Sequence, residues 1–176
     1  LARHVADGDA ESIAVAELTF GLLLALDRHI PDNVSELRAG KWNEKEYSKA
    51  RGIYGRTLGL LGFGNIGQEV ARRARAFGMP VLAWSRRFAA DAAARLQAAE
   101  IHGVEAVATA AELVSRADVI SVHLGLSRDT RGFVNAGLLT HARPGSFFIN
   151  TARGEVVDAA ALHAAVVKLC ERVHEF

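Results

Sequence analysis

The residues Gly62-Phe63-Gly64-Asn65-Ile66-Gly67 place three glycines at the spacing G-x-G-x-x-G, directly after the apolar run Leu58-Gly59-Leu60-Leu61 and at the head of a segment with helical periodicity. Strand, tight turn and helix in that order are the parts that binding a diphosphate requires. Gly62 permits the turn out of the strand. Gly64 lets the backbone approach a pyrophosphate with no Cβ in the way, and Gly67 lets the helix pack close to the strand. The helix opening at Asn65 and Ile66 then offers unpaired N–H groups and the positive end of its dipole to the phosphates. A glycine-rich turn without a ligand has the same composition. The strand–turn–helix frame, with more such units behind it, favours a dinucleotide.

A second position bears on which dinucleotide. The residue that selects the ribose is expected at the end of the second strand, roughly 20 residues beyond the glycines. Here the run Val81-Leu82-Ala83-Trp84 ends in Ser85-Arg86-Arg87. A carboxylate there would bond the 2′-hydroxyl of NAD and repel a 2′-phosphate, and none is present. A hydroxyl with two guanidiniums suits a phosphate dianion, which leans the choice towards NADP(H). The alternative is that Arg86 and Arg87 are solvated loop charges and selectivity is lax.

The elements that must hold these residues alternate from Thr57 onward. Strands are predicted at Thr57–Leu61, Val81–Trp84, Val104–Val107, Val119–His123 and Phe147–Asn150. Helices are predicted at Ile66–Phe77, Asp91–Glu100, Ala110–Arg116 and Ala136–Ala142. A last helix should start near Asp158, with Leu162, Val166 and Leu169 on its apolar face. Thr109 followed by Glu112 is a capping-box signature, and Asp91 and Asn135 are expected N-caps. Such alternation implies parallel strands joined by right-handed crossovers. The predicted fold is α/β, a doubly wound parallel sheet of Rossmann type with helices on both faces, preceded by a long N-terminal helix.

That first helix is predicted over Ser12–Arg28, with Pro31 beyond its end and a second helix over Asp32–Gly40. Ile13, Ala16, Phe20 and Leu23 recur at helical spacing, and Val15, Leu18, Leu22 and Leu26 widen the stripe. A helix this apolar suits burial on more than one side, so residues 1–56 are expected to pack on the dinucleotide domain, 57–176, and on a second subunit. An ordinary core helix fits the same pattern.

The 176 residues are half hydrophobic, with a formal net charge of +1. Near-neutrality argues against a nucleic-acid groove or a polybasic membrane anchor. Arg72, Arg73 and Arg75 spread around a solvated helix face. The single cysteine, Cys170, makes neither an internal disulfide nor a multi-cysteine zinc site, and the expectation is a cytoplasmic protein with no metal. The apolar run around Phe20–Leu26 is too short to span a bilayer.

Three further segments make the resemblance specific. Ser121-Val122-His123-Leu124-Gly125-Leu126-Ser127, followed by Asp129-Thr130-Arg131-Gly132, resembles the stretch after the fourth strand in the D-2-hydroxyacid dehydrogenases. Phe147-Phe148-Ile149-Asn150-Thr151-Ala152-Arg153-Gly154 is similar to that family's INTARG signature. Gly52-Ile53-Tyr54-Gly55-Arg56-Thr57-Leu58-Gly59 resembles the approach to the first strand in its phosphoglycerate-dehydrogenase-like branch, and the likeness runs to about Val167. It implies reversible hydride transfer between C2 of a 2-hydroxy or 2-oxo acid and C4 of nicotinamide. Arg153 matches the arginine that grips the substrate carboxylate and helps polarise the carbonyl. Asn150, Thr151 and Ala152 would line the nicotinamide side, His123, Leu124 and Gly125 the adenosine, and Thr130 would lie near the phosphates. The branch suggests a phosphorylated three-carbon acid.

Two departures stand out besides the missing carboxylate. Gly125 stands where the family often has proline, which loosens that wall. The family's catalytic glutamate and histidine follow the segment carrying Arg153, and neither His163 nor His174 matches their motif. The first substrate-binding domain, normally upstream of the long helix, is likewise expected to be absent. Residues after Val167 do not resemble the family's next strand, so the fifth strand should be an exposed edge that invites dimerisation or aggregation. The alternative function is a non-catalytic dinucleotide sensor of the kind found among the family's corepressor relatives.

Overall fold

The computed structural model describes residues 7–171. In chain order the elements are α1 (Asp7–Asp27), α2 (Ile30–Arg38), α3 (Glu44–Tyr47), β1 (Leu58–Leu61), α4 (Asn65–Ala76), β2 (Val81–Trp84), α5 (Arg86–Ala90), α6 (Ala92–His102), β3 (Glu105–Ala106), α7 (Ala110–Arg116), β4 (Val119–Val122), α8 (Ala136–Leu139), β5 (Phe147–Asn150), a 3-10 turn at Gly154–Val156 and α9 (Ala159–Glu171). All strand pairs are parallel, in the order β3-β2-β1-β4-β5. The chain winds outward from β1 to β3, then returns to lay β4 on the other side of β1. That reversal opens a crevice at the C-terminal ends of β1 and β4.

Alternation along the strands sends side chains to two faces. Leu58, Leu60, Ala83, Val119 and Ile149 share one core with Ala16, Phe20 and Leu23 of α1, with Val70 and Ala74 of α4 and with Ala98 of α6. Leu61, Leu82, Ile120 and Val122 share the other with Leu113 and Val114 of α7, Leu139 of α8 and Leu162 of α9. Every residue of β1, β2 and β4 is buried, as expected of strands covered on both faces. β5 pairs only with β4 and is an edge of the sheet among the described residues.

α1 lies across one face of the sheet, buried through Ser12, Ala16, Thr19, Phe20, Leu23 and Asp27. Its last residue is held from below. The Asp27 carboxylate, with a side chain only 3% exposed, receives Arg56 Nη1 at 3.2 Å. The same guanidinium sits 4.1 Å from the centroid of the Phe147 ring. One flank of the helix is uncovered: Leu18, Leu22 and Leu26 are exposed, as are Ile30, Val34 and Leu37 of α2.

The caps form where the sequence placed them. Asp91 accepts from Ala93 N and Ala94 N, Asn135 from Leu138 N and Thr109 from Glu112 N. Glu112 turns its carboxylate to Arg116 instead of back to the cap. Several boundaries differ from expectation. α1 starts at Asp7, because acidic residues suit a helix N-terminus even without apolar periodicity. α2 begins at Ile30 and ends at Arg38, since Pro31 occupies its first turn, and His29 makes the corner in the left-handed region at φ 50°. α3 and α5 are too short to show a periodic stripe, and neither was anticipated. β3 has two residues, and α8 stops at Leu139. On α9, Ala161, Leu162 and Ala165 pack, whereas Val166 is 49% exposed, so the expected apolar face is displaced around the helix. Leu1, the side chain of Leu169, His174 and the end of the divergent tail lie outside the described residues. Among the described residues no helix is long and apolar enough to cross a membrane.

Candidate dinucleotide site

A cleft of about 570 Å³ opens where β1, β2 and β4 end. Its walls come from the glycine loop, the Ser85-Arg86-Arg87 turn, α6 and the His123-Leu124-Gly125 exit of β4.

The three glycines answer to three different neighbours. Gly62 has φ +110°, and a Cβ there would stand 2.5 Å from the carbonyl oxygen of His123. A Cβ on Gly67 would overlap the carbonyl oxygen of Gly62, so α4 can start this close to β1 only as glycine. Gly64 is different. Its φ of −84° suits any residue, and a Cβ there meets no protein atom within 4 Å. Nothing in the protein requires glycine at position 64, whereas a ligand seated against that backbone would. Asn65 is exposed at the start of α4, and Ile66 beside it packs on the core.

Ser85, Arg86 and Arg87 are not a loop. Ser85 is the N-cap of α5, its Oγ accepting from Phe88 N at 3.2 Å, so both arginines sit in the first turn of a short helix. Arg86 Nη1 reaches Asp129 Oδ2 at 3.2 Å across the cleft mouth. Both side chains are mostly exposed, so this pair contributes about 0–1 kcal/mol and opens readily. Arg87 Nη2 lies 3.4 Å from Gln97 Oε1. Among the described residues, the lining contains no carboxylate.

His123 joins the end of β4 to β1 through a 2.8 Å bond from its N–H to Leu61 O. Its Nε2 lies 2.9 Å from the buried Ser121 hydroxyl, while Nδ1 is shut off from solvent with no hydrogen-bond partner. Burial holds its pKa at about 4, below the ordinary 6.5, and the ring is neutral at pH 7. Gly125 has an open Cβ position and no positive φ, so the fold does not demand glycine there. Thr130 is buried, and its hydroxyl donates to Gly125 O and accepts from Ser127 N, both at 2.7 Å. It clamps the loop rather than facing the cleft.

Beyond β5, Asn150 folds the next loop onto itself. Its Oδ1 accepts from Ala152 N at 3.0 Å, and its Nδ2 donates to Arg153 O at 3.1 Å. Thr151 and Ala152 are partly buried. Arg153 is exposed, its Nη1 donating to Ala152 O at 3.2 Å, and no carboxylate of the described residues bridges its guanidinium. Asn150–Arg153 and the glycine loop therefore occupy the same C-terminal edge of the sheet, but the cleft itself reaches only the latter.

A family model described as the D-isomer specific 2-hydroxyacid dehydrogenase, NAD binding domain, matches residues 20–169. The chain belongs to this family. It is 40% identical over 158 residues to a D-3-phosphoglycerate dehydrogenase of Methanocaldococcus jannaschii, covering 90% of this chain and 29% of the relative. A hydroxypyruvate reductase of Thermotoga maritima is also 40% identical over 158 residues, with 90% of this chain and 48% of the relative covered. A solved phosphoglycerate oxidoreductase of Vibrio cholerae superposes with a TM-score of 0.78 at 40% identity, covering 89% of this chain and 48% of that one. The chain thus spans less than half the length of these relatives, and within them it corresponds to the NAD(P)-binding domain.

The cleft also has walls that the motifs did not name. Phe63 stands edge-on to His102 at 5.2 Å and tilted to Phe88 at 5.6 Å, closing one side. Ala94, Gln97, Ala98 and Ile101 face the cleft from α6. Their i, i+3, i+4, i+7 spacing is a legible signal on a helix predicted over Asp91–Glu100 with no face assigned.

Gly64→Ala is expected to keep the wild-type melting temperature while weakening NADH binding at least ~10-fold, about 1.4 kcal/mol. Gly67→Ala should lower the melting temperature itself; fluorescence titration and thermal unfolding separate the two. The unfolded chain protonates His123 below pH 6.5, but the folded chain does so only near pH 4. Stability is therefore full above pH 6.5 and falls on the way down to about pH 4, by on the order of 3 kcal/mol. Urea unfolding at pH 7 and 4.5 should show a flatter dependence for His123→Gln.

Proposed function

We propose that this chain is the cofactor half of an oxidoreductase that moves hydride between nicotinamide and a small D-2-hydroxy or 2-oxo acid, and that it prefers NADP(H). The observation that carries this is a cleft with an open glycine cradle and two arginines but no carboxylate, on the same sheet edge as an unbridged Arg153. When bound, the nicotinamide ring supplies the hydride acceptor and donor. Backbone N–H groups at the start of α4 hold the diphosphate. Ser85, Arg86 and Arg87 take the 2′-phosphate, with Arg86 released from its weak exposed partner Asp129. Leu124 and Gly125 border the adenosine. Arg153 pairs its fork with the substrate carboxylate and draws charge from the reacting carbonyl.

Relatives named for phosphoglycerate and hydroxypyruvate point to three-carbon acids as the substrate class. We assign no general acid–base here. His123 stays neutral and is committed to Ser121, and His163 is exposed on α9. The unbridged Arg153 favours hydride transfer over a purely sensing role. A cytoplasmic location fits the same assignment. The exposed row of Leu18, Leu22 and Leu26 is covered, in this proposal, by the same row of a second copy about a two-fold axis.

NADPH should bind several-fold tighter than NADH, by fluorescence titration of the purified chain. Ser85→Asp should reverse the order, and aspartate also serves as an N-cap, so α5 survives the change. Equal affinities in the wild type overturn the preference. Sedimentation should show a dimer for the wild type and a monomer for Leu22→Asp; a wild-type monomer at high concentration removes the two-fold assembly.

A further inference from the structure

Thr19 lies on α1 and is 1% exposed. Its Oγ1 donates to Val15 O one turn earlier, at 2.9 Å. The same oxygen lies 3.1 Å from Oγ1 of Thr151, in the loop after β5. A hydroxyl carries a single proton. With that of Thr19 directed to Val15 O, the proton between the two threonines belongs to Thr151. Val15 O, Thr19 and Thr151 form a one-way relay, and its direction has a consequence at the site. Thr151 can then no longer donate to a ligand, and its two lone pairs leave it an acceptor only.

On the basis of the cofactor assignment above, we propose that Thr19 is a positioning residue. It pins the Asn150–Arg153 loop to α1 and fixes Thr151 as an acceptor for a hydrogen-bond donor on the nicotinamide half of the cofactor. The loop has its own internal clamp, because Asn150 bonds Ala152 N and Arg153 O. That clamp sets the shape of the turn. The Thr19 bond ties it to the helix crossing the sheet, so the height of Thr151 and Arg153 above the sheet edge is set by α1. Leu22 and Leu26 of the exposed leucine row stand three and seven residues beyond Thr19, flanking this bond, so burial of that row steadies the element that carries the relay.

The test compares NADH with ADP-ribose, which has the adenosine and both phosphates but no nicotinamide. Thr19→Val keeps the side-chain volume and removes the acceptor. It should weaken NADH binding about fivefold, the effect of one net hydrogen bond, while ADP-ribose binds as in the wild type. Thr19→Ser should restore NADH binding. Thr151→Val should match the loss, and the double variant should lose no more than either single one. If NADH and ADP-ribose weaken together, or neither weakens, Thr19 has no positioning role. A wild-type chain that binds neither nucleotide overturns the cofactor assignment itself, and the role of Thr19 towards it.

Discussion

No side chain fits at the exit of β1. Gly62 turns there with its α-carbon against the carbonyl of His123, and Gly67 brings the first turn of α4 against the carbonyl of Gly62. Backbone therefore meets backbone among β1, α4 and the end of β4, and the crevice between β1 and β4 takes its depth from that contact. Widening any of the three by one methyl group would push the N-terminus of α4 away from the seat proposed for a diphosphate. Gly64, with room to spare, belongs to the same loop, and no neighbour among the described residues requires glycine there. A glycine motif thus mixes folding constraints with binding constraints, and only coordinates separate them.

The sheet was legible because β1, β2 and β4 are apolar throughout, the pattern left by a strand with helices on both faces. Caps were legible because Asp91, Thr109 and Asn135 do local chemistry that needs no distant partner. Short elements were not. Ser85 was read for its hydroxyl as a ligand, yet the same hydroxyl starts α5, a five-residue helix with no periodic stripe of its own. Thr130 and Asn150 carry polar groups that hold their own loops, a role that spacing along a chain does not reveal. Within α1 a signal was present and passed over. Thr19 and Asp27 are polar residues on the buried stripe, and each has a partner far along the chain.

Electrostatics divides the C-terminal edge of the sheet by function. Arg86 and Arg87 flank the cleft without a carboxylate inside it, and the neutral His123 adds no charge to its wall. Farther along, Arg153 has only a neighbouring carbonyl as partner among the described residues. Positive charge thus stands at two separate places on this edge, the seats proposed for two anionic groups.

The junction beneath α1 has an evolutionary side. Asp27 and Arg56 are an inner pair, one carboxylate oxygen having no partner other than what the pair provides. Losing Arg56 alone strands the Asp27 charge in the interior, at a cost of about 3–5 kcal/mol, whereas exchanging both for apolar residues can be neutral. Descendants of this sequence can leave the arrangement only by a double step. The two positions, 29 residues apart in the chain, are expected to drift as one unit, and α1 stays moored to β1 and β5 for as long as they do.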